Sequence, residues 1–257
     1  MNSAALSRHV KTIEYDTIGS TNAEALALAR AGEKGPLWVK AARQTAGRGR
    51  RGRTWVSERG NLYATLLLSD PAPPHRAAEL SFVAALAVFD AVVALAPQLA
   101  PRLALKWPND VLCSGKKFCG ILLEGEGPAV AIGIGVNCIH HPEQTLRPAT
   151  DLTAVGASIS AERLFPVLSE AMMQRIAQWN RGAGFDAIRA DWLARTADLG
   201  EVIRVHMPDV EITGRFEGIE AGGRLIVRLS DGRSTVIAVG DVLTFSGARR
   251  PARGAEG

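Results

Sequence analysis

The pattern of apolar and polar residues predicts a chain that mixes helices and strands over its first 198 residues. GSTNAEALALARAGEKG predicts a helix, because Ser20 or Thr21 can cap its first turn and Gly32 can end it. Longer apolar patterns predict further helices over 77–95, 161–180 and 185–196. Apolar runs of strand length predict strands over 37–43, 62–68, 111–113, 118–124 and 129–137, with one more ending at Lys106. The residues before the first helix are predicted to form a polar arm.

The pattern changes after Gly200, where short alternating runs are joined by Gly, Pro and Asp-Gly turns. These runs predict a small all-β domain over residues 199–247, followed by a disordered tail over 248–257. The first 198 residues, with strands and helices intermixed, predict either an α+β or a mixed α/β domain. The chain is therefore expected to hold one large domain and one small one.

Composition is typical of a soluble globular enzyme, with 47% apolar and 22% charged residues. The apolar run 80–96 is interrupted by Asp90 and falls short of the roughly 20 residues that span a membrane, which favours a buried helix. The N-terminal residues lack the apolar segment of a signal peptide. We therefore expect a cytoplasmic protein that does not associate with a membrane.

Cysteine and histidine residues predict no metal site. The three cysteines, Cys113, Cys119 and Cys138, show no C-x-x-C spacing, so buried thiols are favoured over disulfides or zinc ligands. His140 and His141 are adjacent, which is poor spacing for two ligands of one metal, and they receive no role.

Positive charge is concentrated in one segment. The net charge is only +4, yet residues 34–57 contain seven basic residues and no acidic one. Within that segment GRGRRGR, residues 47–53, holds four arginines and three glycines and is followed closely by Trp55. Arginines at this density repel one another unless an anion neutralises them, while glycines let backbone N–H groups converge on that anion. The segment predicts a phosphate or carboxylate ligand.

The arginine loop, residues 47–55, has three other interpretations. Gly47, Gly49 and Gly52 formally match a dinucleotide fingerprint, but no helix is predicted to open at the third glycine. Nucleic-acid-binding RGG segments are longer and repetitive, whereas this loop is short and lies between two predicted strands. A solvated turn without a ligand also stays possible on the loop alone.

Two further segments carry polar groups next to predicted strands. KWPND places Asn109 and Asp110 at a turn fixed by proline, where such residues often serve the turn alone. KKFCGILLE places Lys117 at the start of a strand, and Gly120 within it allows a close approach of another group. A lone lysine beside a hairpin is usually just solvated, so the combination with the arginine loop is what suggests a site.

Taken together, these segments closely resemble the biotin protein ligase family. The matching stretches are GSTNAEA, RQTAGRGRRGRTW, NLYATLLL, LKWPNDV, KKFCGILLE and IGIGVN, which follow one another in family order over about 120 residues. The resemblance implies an α+β fold, with a mixed-sheet catalytic domain of the biotin/lipoate ligase kind and a C-terminal β-barrel of the Src-homology-3 kind. It also implies two reactions: biotin and MgATP form biotinyl-5′-AMP and pyrophosphate, and a lysine of a carrier protein then takes the biotinyl group.

The resemblance implies roles for individual residues. The catalytic residues would be Lys117, Arg50 and Asp110, with Asp110 orienting or deprotonating the incoming lysine. Biotin would contact Ser20, Thr21, Asn22, Gln44, Arg48, Gly49, Arg50 and Lys117. The adenylate would contact Arg48, Arg50, Trp55, Asn109 and Asn137. Arg51 and Arg53 receive no role.

Partners and cofactors are also implied. ATP and biotin would be substrates, and Mg²⁺ would arrive with ATP rather than in a dedicated protein site. The acceptor would be the biotin carboxyl carrier domain of acetyl-CoA carboxylase or of a related carboxylase, and the enzyme would be a monomer or homodimer. Only about 18 residues precede GSTN, too few for the DNA-binding domain of some family members, so no DNA binding is expected. Lipoate ligases and a non-enzymatic nucleic-acid-binding protein are the alternatives.

Overall fold

The computed structural model describes residues 10–143, 148–207 and 210–244. Its contacts divide the chain into two units, one formed by Met1–Ala197 with Ala221–Gly223 and the other by Asp198–Glu220 with Arg224–Gly257. The larger unit contains a seven-stranded sheet in the order β1-β2-β3-β7-β6-β5-β4, in which only the β1–β2 pair is parallel. Its strands are β1 (Lys11–Ile18), β2 (Leu37–Gln44), β3 (Leu62–Ser69), β4 (Leu103–Lys106), β5 (Asp110–Cys113), β6 (Lys116–Glu126) and β7 (Ala129–Val136).

The prediction of a polar arm before the first helix was wrong, because β1 occupies that segment. β1 is an edge strand whose acidic residues Glu14 and Asp16 alternate with Ile13 and Tyr15. An edge strand with charged side chains is well protected against unwanted pairing, yet the same charges make it resemble a loop in the sequence. The other strands predicted in this domain are all present, with ends that differ by one to two residues.

Helices cover the sheet on opposite faces. They are α1 (Thr21–Arg30), α2 (Leu80–Leu95), α3 (Ala161–Trp179) and α4 (Phe185–Leu193). α1 packs on the face of the sheet that carries Val39 and Leu67. The neighbouring residue Trp38 points to the other face, where its ring meets Phe165 of α3 edge-on and its Nε1 donates to Ser169. The face under α1 is the one that carries the candidate site.

α2 is the most apolar helix of the described residues. The helical stretch 74–95 is long and apolar enough to cross a membrane by length and composition, but 67% of its most apolar window is buried inside the protein. It contacts α3, α4 and strands β4 to β7. Its one acidic residue, Asp90, accepts from Arg175, which also binds Asp191 and so ties the three helices together. The helix is therefore a buried element of the core, as predicted.

The smaller unit is a five-stranded antiparallel sheet in the order β11-β10-β9-β8-β12. Its strands are β8 (Val202–His206), β9 (Glu211–Ile219), β10 (Leu225–Arg228), β11 (Ser234–Ile237) and β12 (Asp241–Thr244). Alternate residues form its core, among them Val205, Phe216 and Val227. The predicted α+β class is confirmed, while the predicted tail 248–257 lies outside the described residues.

The three cysteines are free and buried, as predicted. Burial raises the pKa of all three thiols, that of Cys138 to about 12. Because the thiolate is the reactive form, these side chains serve the core and offer no nucleophile.

Candidate active site

Three glycines leave one face of the central sheet bare. Gly120 of β6 is the cross-strand partner of Gly135 of β7, and Gly133 lies two residues further along β7 on the same face. A Cβ at Gly135 would lie 2.7 Å from the indole of Trp55, and one at Gly133 would lie 2.2 Å from Asn22 Oδ1. We call these three residues the glycine floor. Only glycine lets other side chains lie directly on the strands here.

A buried polar cluster lies at the Gly133 end of the glycine floor. The backbone N–H and hydroxyl of Thr21 both donate to Gln44 Oε1, at 2.9 and 3.1 Å. The hydroxyl of Thr65 lies 2.6 Å from Asn22 Oδ1 and 2.8 Å from Thr21 Oγ1. Gln44 Nε2 donates to Ser57 Oγ at 2.9 Å. All five side chains are thus held by one another, and all but Gln44 are buried.

The helix cap explains how α1 reaches the glycine floor. Ser20 has an extended backbone and its side chain accepts from the N–H of Ala23, so the helix begins at Thr21. Thr21 and Asn22 therefore occupy the first turn and lie against the sheet. The segment GSTN positions these two side chains through an ordinary capping interaction.

The charged end of the site lies beside Gly120. Lys117 Nζ lies 2.6 Å from Asp110 Oδ1, and it stands 5.3 Å from the centre of the Trp55 ring. Asp110 is buried and Lys117 is about one-quarter exposed. Asp110 is the cross-strand partner of Gly120, so its side chain shares the face of the glycine floor. The Lys117 ammonium can contact an anion at this end of the site. Asp110 balances the charge of that ammonium when no anion is bound.

A β-bulge aims Lys117 at this face. Lys117 and Gly120 are three residues apart, so in a regular strand their side chains would point to opposite faces. The register between β5 and β6 shifts between Val111 and Leu112, and Leu112 pairs with Lys117 where a regular ladder would pair it with Phe118. The extra residue turns Lys117 toward Asp110, which is a common use of bulges next to active sites.

The arginine loop is tied to both ends of the site. Arg50 Nη1 donates to Asn109 Oδ1 at 3.3 Å, and Asn109 Nδ2 in turn donates to the carbonyl of Ile121 at 2.6 Å. Arg48 forms an ion pair with Glu124 at 3.1 Å. The loop's last residue, Trp55, lies on Gly120 and Gly135 between the two ends.

Two residues predicted to contact the substrates, Asn137 and Gly49, have different surroundings. Asn137 is buried, and its Nδ2 donates to the carbonyl of Thr150, whose own N–H donates to the carbonyl of Lys117. Asn137 therefore fixes the segment that pairs with the backbone of Lys117. Gly49 has space around it: among the described residues other than its two chain neighbours, only Arg53 lies within 4 Å of a Cβ built there. A Cβ at Gly47, in contrast, would lie 2.5 Å from Ser57 Oγ. The close packing that requires glycine is at Gly47.

Several residues of the site were not singled out from the sequence: Ser57, Thr65, Glu124, Gly133 and Gly135. Three of them left a signal. Thr65 is the one polar side chain inside the apolar run of β3, and a buried hydroxyl in such a run needs a partner. Glycines at alternate positions in IGIGV place two missing side chains on one face of the strand.

Metal-binding side chains are not gathered here. Within the part of the chain that the structure describes, no group of three or more His, Cys, Asp or Glu residues could hold a metal ion. Once Trp55 is displaced from it, the glycine floor, with the polar cluster at one end and Lys117 at the other, would fit an elongated molecule that has a polar head, an apolar middle and an anionic end. The floor provides van der Waals contact, and the two ends provide hydrogen bonds and charge.

The chain is similar to known proteins over most of its length. Residues 16–138 match the Biotin/lipoate A/B protein ligase family, and residues 198–243 match the Biotin protein ligase C terminal domain. A biotin--[acetyl-CoA-carboxylase] ligase of Paracoccus denitrificans is 46% identical over 230 residues, which cover 85% of this chain and 95% of that protein.

Solved structures show the same fold. The biotin protein ligase of Aquifex aeolicus in complex with biotin and ATP is 25% identical, with a TM-score of 0.78 over 91% of this chain and 97% of that one. The biotin protein ligase of Leishmania major in complex with biotinyl-5-AMP is 26% identical, with a TM-score of 0.66 over 90% of this chain and 100% of that one. On the identity and coverage of these relatives, the chain belongs to the biotin protein ligase family.

Proposed function

We propose that this protein attaches biotin to a lysine of a biotin carboxyl carrier domain, using ATP and passing through biotinyl-5′-AMP. The observation that carries the proposal is the glycine floor with a polar cluster at one end and the Lys117 ammonium at the other. Biotin has the same order of chemical groups: a ureido ring, an apolar ring and chain, and a carboxylate. The names of the relatives support the same substrate and acceptor, biotin and acetyl-CoA carboxylase.

The polar cluster would bind the ureido ring. That ring has two N–H donors and one carbonyl acceptor, and a buried group of this kind must find partners. Thr21, Asn22, Gln44 and Thr65 offer hydroxyls and amide oxygens there, and Ser20 holds the helix turn that carries two of them. Hydrogen bonding within the cluster keeps these groups oriented before the ligand arrives, which reduces the entropic cost of binding.

Lys117 and the loop arginines would serve the adenylation step. Negative charge gathers on the phosphate oxygens when the biotin carboxylate attacks the α-phosphate, and pyrophosphate leaves. The Lys117 ammonium would stabilise this charge, and Arg48, Gly49 and Arg50 would close over the adenylate with Trp55 and Asn109. Mg²⁺ would enter with ATP as part of that substrate.

Trp55 would change position when biotin binds. A ligand that reaches from Asn22 to Lys117 has to pass over Gly135 and Gly120, where the indole now lies. The indole N–H is buried, and among the described residues it has no hydrogen-bond acceptor. A buried N–H without an acceptor raises the free energy of this indole position, so a ligand can displace the indole at little cost. The ring would then cover the adenylate, as the family resemblance implies.

Asp110 would assist the transfer step. A carrier lysine must lose a proton before its amine can attack the mixed anhydride, and Asp110 is the carboxylate next to Lys117. The amide bond forms as AMP leaves, and the proton passes to Asp110.

We also propose that residues 1–198 perform both reactions, that residues 199–247 form the small C-terminal domain, and that the protein acts in the cytoplasm without binding DNA.

Pyrophosphate release tests the proposed function. We expect purified protein with MgATP to release pyrophosphate when biotin is added, and to label a recombinant biotin carboxyl carrier domain on one lysine. Parallel reactions with lipoate or with no acid should give only background release. Folded protein that releases pyrophosphate with lipoate and not with biotin would overturn the proposal in favour of a lipoate ligase.

A methyl group on the glycine floor should damage biotin binding. In Gly133→Ala the new Cβ would lie 2.2 Å from Asn22 Oδ1 and must displace that amide from Thr65. Loss of one or two buried hydrogen bonds corresponds to a KM for biotin that is raised roughly tenfold or more. Steady-state kinetics with varied biotin measures this change.

Gly125→Ala is the matched control for this prediction. Gly125 lies on the neighbouring strand of the same hairpin, and a Cβ there would make an ordinary contact of 3.6 Å with the carbonyl of Ala129. We expect its KM for biotin to equal that of the wild type. Equal KM values in Gly133→Ala and Gly125→Ala would place biotin away from the glycine floor.

A further inference from the structure

A carboxylate that the proposed reaction does not use lies between the polar cluster and the arginine loop. Glu124 Oε2 accepts from Asn22 Nδ2 at 2.8 Å, and the Glu124 carboxylate forms an ion pair with Arg48 at 3.1 Å. Its side chain is 30% exposed. A negative group so close to a site for two anionic substrates works against their binding unless it does something else.

Glu124 completes the hydrogen bonding of Asn22. One hydrogen of Asn22 Nδ2 goes to Glu124 and the other to the carbonyl of Leu122 at 3.2 Å, so both donors of the amide are used. Asn22 Oδ1 lies 2.6 Å from the hydroxyl of Thr65 and keeps a second lone pair. The amide is thus fixed with its oxygen toward Gly133, where a ureido N–H would need an acceptor.

Glu124 also joins a continuous chain of polar contacts. From Ser57 it passes through Gln44, Thr21, Thr65, Asn22 and Glu124 to Arg48. Both ends of this chain belong to the segment that contains the arginine loop. Arg48 neutralises the carboxylate, so the cost of keeping Glu124 near the substrates is reduced.

We propose that Glu124 is a positioning residue for biotin: it holds the Asn22 amide in the one orientation that presents an acceptor to the ureido ring. The inference rests on the proposed function, since it concerns the same site. Arg48 would be its counter-charge before ATP arrives and would release it in part when phosphate oxygens compete for the guanidinium. Glu124 itself does not touch the reacting atoms.

A purely structural role would look different. The Arg48–Glu124 pair is about half exposed on its arginine side, and such pairs contribute only about 0–1 kcal/mol to the free energy of unfolding. Loss of the Glu124 charge should therefore change the melting temperature little. An effect on biotin binding that far exceeds the effect on melting would separate positioning from general stability.

Isothermal titration of the full chain with biotin, together with steady-state kinetics, tests the inference. We expect Glu124→Gln to raise the Kd and KM for biotin roughly tenfold, because a charge-assisted hydrogen bond becomes a neutral one. The KM for ATP should not rise. Glu126→Gln is the matched control, because Glu126 lies two residues further along β6 and pairs only with Arg30 among the described residues.

A double variant sharpens the test. If Glu124 acts through Asn22, adding Glu124→Gln to Asn22→Ala should not raise the Kd for biotin beyond that of Asn22→Ala alone. Additive increases would overturn the inference, and so would a Kd for Glu124→Gln equal to that of Glu126→Gln. Wild-type protein that binds no biotin would overturn the proposed function as well, whereas biotin-binding wild type with an unaffected Glu124→Gln overturns only the inference.

Discussion

The Lys117→Ala variant should release pyrophosphate roughly a hundredfold to a thousandfold more slowly than the wild-type protein in the presence of biotin and MgATP. Lys117 Nζ is held 2.6 Å from Asp110 and close to Gly120, at the end of the glycine floor where the biotin carboxylate would meet the α-phosphate. Negative charge would develop there in the transition state of the proposed adenylation. Without the ammonium, that charge loses its nearest fixed cation.

Lys116→Ala is the control for this prediction. Lys116 is the neighbouring residue on β6 and is exposed, so its loss removes the same charge without touching the site. We expect the control to keep wild-type rates of pyrophosphate release. Similar losses in Lys116→Ala and Lys117→Ala would mean that only general positive charge matters and would remove Lys117 from the catalytic group. Melting curves of both variants exclude a folding defect.

Features encoded within short segments could be predicted from the sequence. The cap at Ser20 and the apolar runs of β2, β3 and β7 are local signals, and each led to the correct element. β1 was missed because its polar face makes an edge strand resemble a loop. The order of strands was not predicted, since pairing of β3 with β7 depends on contacts between distant segments.

The partners of the predicted site residues were harder to find. Asn22 was singled out, but its partners Thr65 and Glu124 lie 43 and 102 residues away along the chain. Nothing within GSTNAEA indicates which strand it will meet. The turn of Lys117 toward Asp110 could not be predicted for the same reason, because the bulge in β6 is defined by the register of that strand against β5. Contacts of this kind depend on the assembled sheet.

The resemblance to the family supplied what local patterns lacked. It brought the arginine loop, KWPND and KKFCGILLE to one place, where each alone had an ordinary interpretation. Geometry then adds what the resemblance did not contain: the glycine floor, the resting position of Trp55 and the ion pair between Lys117 and Asp110. That ion pair changes the expectation for Asp110, which would then affect adenylation through Lys117 as well as the transfer step proposed for it.

Asp110→Asn should therefore slow both reactions, but unequally. The asparagine keeps the shape of the side chain and loses the charge that balances Lys117, so we expect pyrophosphate release to fall about tenfold, the effect of one lost charge-assisted contact. Transfer should fall by roughly a further hundredfold, in the range of a lost general base, because an amide cannot take the proton of the carrier lysine.

Single-turnover experiments separate the two effects of Asp110→Asn. Enzyme loaded with preformed biotinyl-5′-AMP is mixed with the carrier domain, and labelling is followed over time, while pyrophosphate release is measured without the carrier. Transfer by Asp110→Asn should recover as pH rises, since a larger share of the carrier lysine is then deprotonated in solution, whereas adenylation should not. Equal losses in the two reactions, with no recovery at high pH, would mean that Asp110 acts only by holding Lys117 in place.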